Sequence, residues 1–351
     1  MNLFAKTILG AAALALSTGG MVSGAAAANV DGPSVFWKFS TWGKPRAFTA
    51  GIEKLSERVK EETGGKFNIQ IFYGGQLAKS RENLDGLKNN AFEGAMFCNF
   101  YSPDKNPTFM IFTLPFIPLG DFRVSAHVRN NLMQEPAMIA DMERWNAVAY
   151  GSTLLPQYEF LGRGKPPKTI EDWSGMRVRA GGGVGQAMEL LGATRQTVPA
   201  SETYTLMQRG AVDAVSFPFS YAHAAYKINE LSEWYTGNLQ PGTSECPIVF
   251  NKKAHDALPQ QYKDLLESLK EESTQATIDA YMAADAKNLP AFEDAMEKVM
   301  YSDEEIARFK EVAGKPIWDK WIADNADKFD SQALFDRMME LLAEAEAKYT
   351  N

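Results

Sequence analysis

Cysteine and histidine are scarce in this chain, with two of the first and three of the second among 351 residues. His127, His223 and His255 are widely separated, and none stands at ligand spacing with another histidine or with Cys98 or Cys246, which argues against a structural zinc site. The same scarcity removes the usual hydrolytic constellations. No histidine lies in a clear nucleophile context, and neither a Ser-His-Asp set nor a pair of working carboxylates stands out. Basic residues are outnumbered, 36 Lys+Arg to 44 Asp+Glu for a formal net charge of −8, and form no run, so nucleic acid is excluded as a partner. Beyond the first 28 residues no stretch approaches the ~18 uninterrupted apolar residues that a membrane span needs. The two cysteines either pair or stand as separate thiols, and their number does not decide which.

What is present begins with an export signature. Met1 to Lys6 is a short basic region, Thr7 to Gly24 is small and apolar, and Ala26-Ala27-Ala28 has the A-x-A form of a signal-peptidase site. Residues 1–28 are therefore expected to be a signal peptide, with a periplasmic chain beginning near Asn29. The ~320 residues that follow exceed one comfortable hydrophobic core, which predicts two lobes.

The order of elements points to an α/β architecture. Val35 to Thr41 alternates and is rich in β-formers, Ala47 to Thr63 has helical spacing and ends at Gly64-Gly65, and Lys66 to Tyr73 is a second strand. A helix around Arg81 to Asn90 and a buried strand from Glu93 to Phe97 complete a β-α-β-α-β rhythm, the pattern of a parallel sheet flanked by helices. A single helix is expected from Asp121 to Arg144, then strands at Asn146 to Thr153 and Glu159 to Gly162. A second β-α-β series follows Ile170, with strands near Arg177 to Arg179, Thr197-Val198 and Ala214 to Ser216. Pro247 to Asn251 is a further strand. The remainder is helical, including an amphipathic run from Gln261 to Lys287 and segments at Asp303 to Ala313, Ile317 to Lys328 and Ser331 to Lys348.

The stretch from Asp172 to Pro218 carries the most chemistry. A short basic strand ends near two helix N-termini, which is a place to hold an anion. No nucleophile or metal cluster accompanies it. The glycine cluster Gly181-Gly182-Gly183-Val184-Gly185 lacks the G-K-[ST] ending of a phosphate loop and contains no lysine. It is expected to make tight turns near a ligand instead.

Several segments, in order, resemble the periplasmic solute-binding proteins of TRAP (tripartite ATP-independent periplasmic) transporters, the DctP-like group. Tyr73-Gly74-Gly75-Gln76-Leu77 followed by Arg81 is similar to the family's "GGQLG…R" segment. Leu114-Pro115-Phe116 is similar to its "LPF" element, and Asp172 to Ala180 to "DLKGLKIRVP". Ala211-Val212-Asp213 with Pro218 resembles "AVDG…NP", and Leu258-Pro259 the "LP" before the long helix. The likeness covers the whole chain after the leader. It implies a two-lobed fold that closes on a small organic acid, and a long helix spanning both lobes. It also implies delivery to the small and large membrane permease subunits, with no catalysis, no cofactor and a monomeric state. Lobe I is expected to comprise residues 29–155 and 245–284, and lobe II residues 156–244 and 285–351.

The resemblance also assigns site residues. Arg179 matches the arginine that clamps the ligand carboxylate, and a planar guanidinium offers the two parallel donors this requires. Arg177 alternates with it and should face the other way. Where the family often has a second arginine on the preceding strand, this chain has Glu159; either Glu159 enters the pocket, or the register differs and Arg163 takes the role. Phe217 replaces an asparagine of the family pattern. Tyr101 and Trp42 add rings at strand ends, where ligands bind in open α/β sheets. Cys98, Asn99 and Thr41 belong to the same strand-end segments, and Ala200 is small where the family can have phenylalanine. One clamp and an aromatic box imply a monocarboxylate with a flat or apolar body, an aromatic acid of the benzoate or hydroxybenzoate type first. A zwitterionic or cyclic amino-acid-like ligand meeting Glu159, and service to another transporter class, are the alternatives.

Overall fold

Short β-rich runs separated by amphipathic segments assemble into two sheets in the computed structural model of the chain, which describes residues 30–349. The expected signal peptide lies outside the described residues. In chain order the strands are β1 (Val35–Ser40), β2 (Phe67–Phe72), β3 (Gly94–Met96), β4 (Ala147–Gly151), β5 (Tyr158–Gly162), β6 (Arg177–Arg179), β7 (Thr194–Gln196), β8 (Ala214–Pro218), β9 (Trp234–Thr236), β10 (Ile248–Asn251) and β11 (Glu297–Val299). The first sheet has the order β2-β1-β3-β10-β4 and the second β11-β9-β5-β8-β6-β7. Both sheets are mixed. β1 is parallel to β2 and β3, while β10 runs antiparallel between β3 and β4. In the second sheet β6 is parallel to β7 and β8, and β5 is antiparallel to β8 and β9.

Helices cover the faces. They are α1 (Ala50–Glu62), α2 (Asn83–Lys88), α3 (Phe122–Leu132), α4 (Pro136–Glu143), α5 (Gly182–Leu190), α6 (Ala200–Gln208), α7 (Tyr221–Ala225), α8 (Lys252–Asp256), α9 (Gln260–Ser268), α10 (Lys270–Ala295), α11 (Asp303–Ala313), α12 (Lys315–Asn325) and α13 (Ser331–Tyr349). The single helix expected over 121–144 is divided between α3 and α4. Pro136 has no N–H to continue the ladder, and Glu135 before it is extended at φ −66°, ψ 140°. The run expected over 261–287 divides at Leu269, and its second part continues through Pro290 to Ala295. The strand expected at Thr197-Val198 lies three residues earlier, at Thr194–Gln196.

α10 is the element that joins the two halves. At its start Ser273 Oγ donates to the Gly51 carbonyl at 2.8 Å. A Cβ at Gly51 would lie 2.4 Å from Thr277 Oγ1, so only glycine lets α1 approach this closely. Further on, the Tyr281 hydroxyl donates to the Thr153 carbonyl at 2.9 Å, and the Ser220 N–H and hydroxyl both donate to Asp285 Oδ1, at 2.9 and 2.7 Å. The helix is thus fastened to the first sheet's α1 and to the turn after β8 of the second sheet. The chain's end departs from the expected assignment of 285–351 to lobe II. β11 and α11 pack with the second sheet, but Ile317, Leu334, Met338 and Leu341 of α12 and α13 share a core with Leu84, Leu87 and Val128 of lobe I. The apolar stripe of α13 finds its complement on α3, which brings the last helix back to the first half.

Candidate ligand-binding site

The two arginines of β6 separate as strand alternation requires. Arg177 is exposed, bonds Asp213 and the Gly210 carbonyl, and fastens β6 to the turn before β8. Arg179 is 1% exposed. Its Nη1 donates to the Ser216 carbonyl at 3.0 Å and its Nη2 to the Val198 carbonyl at 2.7 Å, while Nε is buried and has no partner. Its guanidinium carbon stands 4.5 Å from the Phe217 ring centroid and 5.6 Å from that of Phe100. Among the described residues no carboxylate pairs with it. Burial pushes the guanidinium below its ordinary range, opposed by the phenolic oxygens of Tyr101, Tyr158 and Tyr226.

Around Arg179 lies a narrow cavity of about 30 Å³ walled by eight aromatic rings: Trp42, Phe48, Phe100, Tyr101, Tyr158, Phe217, Tyr221 and Tyr226. Arg46, Leu155, Ala200, Pro218, Ala222 and the two cysteines complete the lining. Cys98 and Cys246 form a disulfide. The antiparallel register of β3 and β10, extended past Met96 and Ile248, sets these residues opposite each other. The two halves touch at this cavity: the Ala200 N–H at the start of α6 donates to the Tyr101 hydroxyl at 2.9 Å. Burial pushes that hydroxyl up to about 12, so it remains protonated through the neutral range.

The glycine cluster serves this approach. A Cβ at Gly181 would lie 2.2 Å from the Phe100 ring, and one at Gly183 would lie 2.4 Å from the Thr113 carbonyl oxygen. The Gly183 N–H donates to Thr113 Oγ1 at 3.0 Å.

Arg179, Phe217, Tyr101, Trp42, Cys98 and Ala200 of the expected site residues line the cavity. Three others do not. Glu159 is buried on the opposite face of β5, where Oε1 accepts the Gln240 N–H at 3.0 Å and Oε2 the Thr236 hydroxyl. The alternation of β5 gives the cavity Tyr158 instead. Arg163, the alternative to Glu159, sits past the end of β5 against Gly210. Asn99 braces its own loop, donating to the Phe109 carbonyl at 2.8 Å and accepting the Phe100 N–H. Thr41 is turned toward Met96 Sδ at 3.6 Å. Sequence reasoning missed Arg46, Tyr158, Tyr221 and Tyr226. Tyr158 was accessible from the two-residue period of β5, and Tyr221 from its place just after β8. Nothing local marked Arg46. Among the described residues no cluster of acidic, histidine or cysteine side chains could hold a metal ion.

The family model for bacterial extracellular solute-binding proteins of family 7, DctP, matches residues 40–325. A monocarboxylate 2-oxoacid-binding periplasmic protein of Nostoc sp. is 24% identical over 345 residues, covering 91% of this chain and 93% of the relative. A TRAP periplasmic solute-binding protein of Desulfovibrio salexigens, solved with orotic acid, superposes with a TM-score of 0.78 at 20% identity, over 89% of this chain and 100% of that one. A marine-metagenome TRAP solute-binding protein specific for aromatic acids, solved with 3-hydroxybenzoate, also has a TM-score of 0.78 at 20% identity, over 90% of this chain and 100% of that one.

Proposed function

The chain belongs to the DctP family of bacterial extracellular solute-binding proteins, and from that membership we propose that it captures a small monocarboxylate outside the cytoplasm and delivers it to the membrane subunits of a TRAP-type transporter. It is a transport component and not an enzyme. The observation that carries the ligand class is Arg179, a guanidinium enclosed among rings with no carboxylate of the protein to pair with. A buried charge without a partner is costly. A ligand carboxylate supplies that partner, and charge-assisted bonds to it are among the strongest available. The ring walls suit a flat or apolar body. An aromatic acid of the benzoate or hydroxybenzoate type is therefore the first reading, and the binding of orotic acid and of 3-hydroxybenzoate by the two solved relatives supports it.

The cavity's small volume favours a second reading. At about 30 Å³ it is near the size that holds one water molecule, so a benzoate enters only as the halves part. A compact 2-oxo monocarboxylate, the class bound by the Nostoc relative, needs less movement. Glu159 faces away from the cavity, which removes the reason for a zwitterionic ligand.

Thermal-shift and calorimetric screening against benzoates, 2-oxo acids, C4-dicarboxylates and sialic-acid-like sugars tests the assignment. Stabilisation by monocarboxylates is expected, and a response to C4-dicarboxylates alone would overturn it. Arg179→Met should weaken binding at least ~100-fold. Its ligand-free melting temperature should not fall, because the substitution removes an unpaired buried charge.

A further inference from the structure

We infer that the cavity contains a second polar subsite, formed by Arg46 and Tyr226 from opposite halves of the molecule, which takes a hydroxyl or keto oxygen at the end of the ligand remote from its carboxylate. This rests on the monocarboxylate reading above and extends it to the ligand's other end. Arg46 lies in the loop after β1. Its Nη1 donates to the Trp42 and Lys44 carbonyls at 2.9 and 2.8 Å, and its guanidinium carbon stands 4.6 Å from the Phe48 ring centroid. These contacts fix the side chain, yet its Nε is buried without a partner. Tyr226 follows α7 in the other half, and its hydroxyl is also buried without a partner.

The two groups converge. The Arg46 guanidinium carbon is 5.7 Å from the Tyr226 ring centroid. A Cβ placed on Gly43 would lie 2.8 Å from Arg46 Nη1 and 3.1 Å from the Tyr226 hydroxyl. Both residues line the same cavity as Arg179. Between the two ends stands Phe217, 4.5 Å from Arg179 and 5.5 Å from the Tyr226 ring. A row of cation, ring, ring and cation therefore runs from one half to the other.

Buried polar groups in native proteins are generally hydrogen-bonded, and exceptions call for an explanation. Here a guanidinium with an unpartnered Nε–H and a phenol that can donate or accept line the same cavity. A ligand oxygen at this end supplies the partner that each lacks. With the carboxylate on Arg179 and the ligand body against Phe217, that oxygen is a distal hydroxyl or ketone. Because its two partners come from different halves, the contact also favours the closed form.

Calorimetry on the purified protein with matched acids tests this. Benzoate is compared with 3- and 4-hydroxybenzoate, and pentanoate with 4-oxopentanoate. In at least one pair the oxygenated acid should bind about tenfold tighter. Tyr226→Phe and Arg46→Lys, which keep the ring and the charge, should each cost the oxygenated acid about tenfold more than the plain acid and so abolish the preference. Equal affinity within every pair that binds would overturn the subsite and leave the monocarboxylate reading standing. So would equal losses for both members of a pair, or a preference for benzene-1,4-dicarboxylate over 4-hydroxybenzoate. Failure of wild type to bind any of these acids or any 2-oxo acid would overturn both.

Discussion

Two arginines, Arg129 and Arg179, are enclosed at 0% and 1% exposure, and their settings differ. Arg129 meets Glu245 at 2.7 Å and donates to the Ser244 carbonyl and to Thr243 Oγ1, while Ser152 Oγ donates to the same Glu245 oxygen. That group is a structural junction with its charge cancelled. Arg179 has only carbonyls and rings. Its separation from Arg177 was legible from the strand motif, because alternation assigns one arginine of β6 to each face, while the choice of Arg179 as the inward one came from the family likeness. Glu159 was misread for want of the same argument, since its orientation depends on which face of β5 meets the cleft. In its actual place burial pushes Glu159 up to about 8 from an ordinary 4.5. Folding thus favours the protonated form. The stability this contributes is full below pH 4.5 and is lost as pH rises through about 8. Glu159→Gln should therefore melt close to wild type at low pH and roughly 2 °C or more above it near pH 8, as read by scanning calorimetry. A lower melting temperature near pH 8 would mean that the folded protein stabilises the carboxylate. His223 acts in the opposite sense: burial holds it down to about 3 from 6.5, so its contribution is full above pH 6.5 and is lost as pH falls.

At the scale of elements, long periodic helices were readable, as were the short strands β3 and β6, but β9 and β11 were not. β9 and β11 are too short for a two-residue period to show, and they exist because each is paired with the other, with β9 also paired to β5. The division of 121–144 was written in Pro136, whereas that at Leu269 carries no comparable signal. The glycines of α5 show how a motif can be legible while its purpose is not. Tight turning was expected. What they provide is room, with the first turn of α5 set against the Thr113 carbonyl of the other half. Gly183→Ala should hold the halves apart at this point. Affinity is expected to fall about tenfold as this contact across the two halves is lost. Unchanged affinity, measured by calorimetry, would show that this contact is absent from the bound form.

Across the whole molecule, the two-lobed plan followed from length, element rhythm and family likeness. The way the halves are joined did not. The return of α13 to lobe I depends on matching one helix's apolar stripe to another 200 residues earlier in the chain, and such pairings are set by three-dimensional complementarity rather than by any local pattern. The overall charge, in contrast, was plain from composition, and it bears on Arg179. A chain of net charge −8 surrounds a positive group that is 1% exposed. An anion in solution first meets a repulsive field, and feels attraction only inside the cleft. Salt screens the first interaction, over about 10 Å at 0.1 M, and leaves the enclosed pair nearly untouched. Stopped-flow measurements should therefore find the association rate constant rising by roughly twofold between low and physiological salt, with dissociation almost unchanged; an association rate that falls with salt would place a positive field at the mouth. Encounter and residence are thus governed by different parts of the protein, the first by its acidic exterior and the second by a single enclosed cation.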